Sequence, residues 1–80
     1  MDNFNNNIEL RVLLLALLKK QDTETYNDIL AVMENSKVFT KKTGKKHLKE
    51  LKELNFLDDN FNLTFIGLQK ANEVEKEFTL

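Results

Sequence analysis

Thr40 to Leu57, TKKTGKKHLKELKELNFL, is the stretch from which the rest of the chain can be read. Leu48, Leu51 and Leu54 recur every third residue, with Gly44 one turn earlier on the same side, which predicts a helix with an apolar stripe. Thr40 is its cap, because a threonine oxygen can accept from the orphan amides of a first helical turn. On a helical period Lys42, Lys46 and Lys49 point away from the stripe, while Thr43 and His47 flank it on one side and Lys45 on the other. The exposed half of this predicted helix, 40–54, is therefore basic. Asn55 can take the left-handed conformation that ends a helix, and after it the periodicity changes.

Toward the C-terminus, Phe56-Leu57, Asp58-Asp59-Asn60 and Phe61-Asn62-Leu63-Thr64-Phe65 predict two short strands around a tight turn, with Phe61, Leu63 and Phe65 alternating inward. Gly67 marks the exit, and a last helix runs from Ile66 or Leu68 to Phe78 with Leu68, Ala71, Val74 and Phe78 on one side. Toward the N-terminus, Thr25 followed by Asp28 is a capping-box pattern opening a short helix that carries Tyr26, Ile29, Leu30 and Met33 and ends near Glu34. Ile8 to Lys20 is apolar on nearly every face, as in a helix buried all round or shared with a second subunit. Residues 1–7, with four asparagines, predict a frayed start that Phe4 can pin to the body.

Eighty residues, 41% of them hydrophobic, predict one domain over 1–80. The absence of cysteine excludes a disulfide framework and a thiolate metal site. Only one histidine is present, His47, and its helical neighbours are lysines, leucines, Thr43, Gly44 and Glu50, so no local ligand cluster forms. No glycine-rich loop cradles a phosphate. No catalysis, cofactor or metal is expected from this supply. The apolar run Val12 to Leu18 falls far short of the ~20 residues that span a bilayer, and Lys19 and Lys20 follow it instead of a small-residue cleavage site. A soluble, cytoplasmic protein is the expectation.

The formal net charge of -1 hides a separation of charge. Between Lys37 and Lys52 stand seven lysines and one acid, Glu50, leaving five basic and twelve acidic side chains for the other sixty-four residues. Such sorting builds a local field that the net figure averages away.

Three segments carry a family resemblance: Tyr26-Asn27-Asp28-Ile29-Leu30, His47 to Leu57, and Leu63-Thr64-Phe65-Ile66-Gly67-Leu68. In order and spacing they resemble the winged helix-turn-helix domain of MarR-like and PadR-like transcriptional regulators, over residues 8–78. The fold implied is mainly α with a small β-hairpin, the wing. The sequence departs from the family pattern in having Asn55 where a glycine is usual, Gly44 where an apolar residue is common, and a longer stretch from Tyr26 to Asn55.

The resemblance implies a sequence-specific regulator of transcription that places helix 40–54 in the major groove of double-stranded DNA. Lys41, Lys42, Lys45, Lys46 and Lys49 would neutralise phosphates beside Thr40 at the helix start. Thr43, Lys46 and His47 fall where the family reads bases: lysine can donate to guanine, and threonine can meet a thymine methyl. For Thr43 the alternative is a solvated helix residue, and for His47 a half-buried side chain at the edge of the core. Asp58 and Asp59 would repel phosphate, which leaves Asn60 and Asn62 as the contacts of the wing. A homodimer through helices 8–20 and 68–78 would present two basic helices about one DNA turn apart. The rival reading is a winged-helix module that applies the same lysine face to an acidic protein partner.

Overall fold

A computed structural model describes Phe4 and residues 7–78. It contains four α-helices: α1 (Ile8–Lys19), α2 (Tyr26–Asn35), α3 (Lys41–Glu53) and α4 (Phe65–Phe78). The central helix is α1, which packs on each of the other three, while α2 packs on α3. The core consists of Leu10, Leu13, Leu14 and Leu17 of α1, Ile29 and Leu30 of α2, Leu48 and Leu51 of α3, and Ala71 and Val74 of α4. Phe4, Phe39 and Leu57 close it from the connections. Burial of Phe4 agrees with the expected pin; Asn7, inside the stretch 1–7 expected to fray, is ordered as the cap of α1, and positions 1–3, 5 and 6 lie outside the described residues.

Local side-chain chemistry starts each helix. Asn7 Oδ1 accepts from the amides of Glu9 (3.0 Å) and Leu10 (3.2 Å) at the head of α1. Thr25 and Asp28 form the reciprocal capping box of α2, at 3.3 and 2.9 Å. Thr40 Oγ1 accepts from the Thr43 amide at 3.2 Å. α3 ends with Asn55 left-handed (φ 69°), the Phe56 amide reaching Leu51 O and the Asn55 amide Lys52 O. α2 ends in the same way, but with Lys37 (φ 62°) in the left-handed position. A lysine there is strained by about 1 kcal/mol where glycine is not, so Lys37→Gly is expected to raise the urea midpoint of unfolding; an unchanged or lower midpoint would refute the strain.

The expected winged helix-turn-helix is not what the chain forms. Among the described residues there is no strand, and the wing is reduced to one isolated antiparallel bridge, Leu57 with Leu63. Two hydrogen bonds flank it, Asp58 N to Asn62 O at 2.9 Å and Thr64 N to Phe56 O at 3.0 Å. Two local interactions stop it growing. The Asp58 carboxylate folds the turn on itself by accepting from the amides of Asn60 (2.8 Å) and Asn62 (2.9 Å). Thr64 Oγ1 accepts from the Gly67 amide at 3.0 Å and so starts α4 at Phe65, where the second strand would have continued. Phe65, expected inside, is 73% exposed, and Gly67 lies within α4 rather than at a strand exit.

Of the two alternatives for α1, burial within the chain accounts for its leucines. Leu10, Leu13, Leu14 and Leu17 pack against the other helices of the same chain, as do Ala71 and Val74. Arg11 pairs with Glu77 at 2.7 Å and lies over the Phe78 ring, and Lys19 pairs with Glu75, tying α1 to α4. Leu68 and Phe78, expected on one side of the last helix with Ala71 and Val74, are exposed while those two are buried.

Candidate nucleic-acid interface

The buried side of α3 is Gly44, His47, Leu48 and Leu51. At 3.6 residues per turn this places Lys41, Lys42, Lys45, Lys46, Lys49 and Lys52 within one arc of about 140°, and all six are exposed. Lys42 to Lys49 extend about 10 Å along the axis at 1.5 Å per residue. Among the described residues only Lys52 of the six has an ion pair, with Asp59 at 3.2 Å. That pair is solvent-exposed on both sides and holds Lys52 weakly.

The lysine-rich first half of α3 is seated by close approach rather than by large apolar contacts. A Cβ on Gly44 would stand 2.5 Å from Leu30 Cδ2 and 2.9 Å from Phe39 Cε1. Glycine therefore lets α3 sit down on α2 and Phe39, and this offsets its low helix propensity, about 1 kcal/mol below alanine. The Thr40 hydroxyl also meets that of Thr43 at 3.1 Å. The Lys41 amide donates to Glu34 Oε2 at 3.0 Å, so a carboxylate already occupies the positive end of the helix. An incoming anion is left with the lysine edge.

The residues expected to read bases separate. Lys46 is exposed on the edge, and Thr43 is half-buried with its hydroxyl on Thr40. His47 faces inward. Its Nε2 lies 2.7 Å from Glu9 Oε1, its Nδ1 lies 3.2 Å from Glu50 Oε1, and its ring meets Phe39 edge-on at 5.3 Å. With both ring nitrogens engaged and the side chain buried, His47 ties α3 to α1 and is turned away from the lysine edge. His47→Gln is accordingly expected to lower the free energy of unfolding by about 1–2 kcal/mol while leaving affinity for duplex DNA unchanged. Lys46→Gln should do the reverse, and a loss of DNA affinity with His47→Gln would return that ring to the interface.

Asn60 and Asn62 are exposed on the 58–62 turn, beside Tyr26 and Phe61 rather than on a strand pair. A cleft of about 310 Å³ runs between α3 and this turn, lined by Tyr26, Lys45, Leu48, Lys49 and Phe61. It continues into one of about 460 Å³ bordered by Lys49, Lys52, Glu53, Asn55 and Phe61. The sequence carries no sign of this cleft, because Tyr26 and Phe61 are brought together across the fold, 5.0 Å between ring centres and near-perpendicular.

No family model, curated protein or solved structure matches the chain. No helix among the described residues is long and apolar enough to cross a membrane.

Proposed function

We propose that this protein binds double-stranded DNA through the lysine edge of α3 and acts in the cytoplasm as a small regulator of transcription. One observation carries the reading: the exposed arc of Lys41, Lys42, Lys45, Lys46 and Lys49, none of them in an ion pair among the described residues. Ammonium groups set along a rigid helix are matched to a phosphate backbone, and each contact releases condensed counterions. In this reading Lys46 is the member of the edge that donates to guanine acceptors in the major groove. Over 41–49 the nearby acids are engaged, Glu50 by His47 and Glu34 by the Lys41 amide, while Glu53 shares the lysine arc one turn beyond Lys49.

In this reading the protein acts as a homodimer, so that two such edges meet one duplex. Phe65, Ile66 and Leu68 of α4 and Ile8 of α1 are the exposed apolar side chains through which a second copy would dock. Sedimentation equilibrium tests that part separately, with a dimer expected and Phe65→Ser shifting it to monomer.

Fluorescence anisotropy with a labelled duplex at two salt concentrations tests the binding. With four phosphates contacted, affinity is expected to fall roughly a hundredfold between about 50 and 200 mM salt. No duplex binding at the lower salt would overturn the reading in favour of an acidic protein partner for the same face.

A further inference from the structure

Three cavities meet at Phe61. To the two clefts against α3 is added one of about 230 Å³ where Tyr26, Asn60, Phe61 and Asn62 form part of the wall. Neighbouring cavities share residues, Lys49 and Phe61 in one case and Tyr26 and Phe61 in the other. They adjoin as one groove beside the 58–62 turn, and the two clefts against α3 have volumes in the range of small-ligand sites.

The groove joins two chemistries. Its middle is rimmed by Lys45 and Lys49, both exposed and without an ion pair among the described residues, while its acids, Glu53 and Glu24, stand toward the two ends. Its wall is aromatic, with Tyr26 and Phe61 each half-buried and set edge to face against one another. Phe61 holds its ring there from a left-handed backbone (φ 61°), which is an outlier for a bulky side chain. Asp58 enforces that conformation through the amides on either side, those of Asn60 and Asn62. Phe61 N also donates to Asp58 O at 3.0 Å.

Cations that follow a backbone, beside aromatic faces that take bases, are the elements of single-strand recognition. A duplex keeps its bases stacked inside and has no use for the rings. We infer that this groove binds a segment of single-stranded nucleic acid, with unpaired bases stacked on Phe61 and Tyr26 and phosphates on Lys45 and Lys49. The inference rests on the reading above only in its premise that the lysine face accepts phosphate. The two sites overlap at Lys45 and Lys49, which line the groove, whereas Lys42 and Lys46 do not line it and belong to the duplex edge alone.

The chain has one tyrosine and no tryptophan, so its ultraviolet emission reports on Tyr26 alone. A short thymidine oligonucleotide is expected to quench that emission saturably, and a blunt duplex of mixed sequence is not. Labelled-strand anisotropy should show affinity for the oligonucleotide reduced about tenfold by Phe61→Leu, which keeps an apolar side chain but removes the stacking face. Lys45→Gln, on an exposed position that leaves the fold intact, should reduce it as well, while Lys42→Gln with Lys46→Gln should not. Duplex binding with no tyrosine quenching by the single strand overturns this inference and leaves the duplex reading standing. Quenching by the single strand with no duplex binding does the opposite. Binding of the single strand that is insensitive to both Phe61→Leu and Lys45→Gln places it elsewhere and also overturns the inference.

Discussion

Gly67→Ala is expected to remove a large part of the stability of the fold. A Cβ at this position would lie 1.9 Å from Phe56 O and 2.8 Å from Phe56 C, and both are backbone atoms that no rotamer change can move aside. That backbone is held from several directions. Phe56 O accepts from the Thr64 amide at 3.0 Å, the Thr64 hydroxyl donates to Asn55 O at 2.6 Å, and the Gly67 amide donates to Thr64 Oγ1 at 3.0 Å. To admit a methyl group, α4 must back away from residue 56, opening the layer that covers Ala71 and Val74. A loss of about 3–5 kcal/mol is expected, against a total of about 4–12 kcal/mol for a domain of eighty residues. Helix propensity works the other way by about 1 kcal/mol, so a destabilised variant reports the close approach and not the intrinsic preference. Urea unfolding followed by circular dichroism measures it. Gly44→Ala is the control, since its neighbours are side chains of Leu30 and Phe39 that can shift, and its loss should be the smaller. A Gly67→Ala midpoint equal to that of the parent would mean that α4 does not sit against the 56 backbone.

The largest functional effect is expected from the combined variant Lys42→Gln, Lys46→Gln, Lys49→Gln. All three side chains are exposed, and none is in an ion pair among the described residues, so the unfolding midpoint should not move. Each phosphate contact removed takes about one unit from the salt dependence of binding, so the slope should flatten by about three. At about 50 mM salt the affinity for duplex should fall at least about a hundredfold. A variant that stays folded and binds as the parent does would show that the lysine edge is not where the duplex lies.

What could be read from sequence was what neighbours along the chain determine. The capping box of Thr25 and Asp28, the cap at Thr40, the left-handed Asn55 and the outward lysines of α3 each depend on residues within a turn or two, and each is found in the structure. The hairpin failed for an equally local reason that alternation conceals. Phe61, Leu63 and Phe65 have the spacing of a strand, but Thr64 between them caps a helix and Asp58 captures the amides of the turn. The site was legible only in its charge. His47 leaves the candidate readers because of Glu9, thirty-eight residues away, and the Tyr26–Phe61 wall of the groove joins segments just as distant. No periodicity records such pairings.

The lysine edge of α3 as the contact with DNA is tested most directly by amide chemical-shift mapping of the labelled protein during a duplex titration. The account predicts perturbations concentrated on 41–49, with the α4 amides around Ala71 and Val74 unaffected. Shifts centred on α1 and α4, or a spectrum unchanged at saturating duplex in low salt, would contradict it.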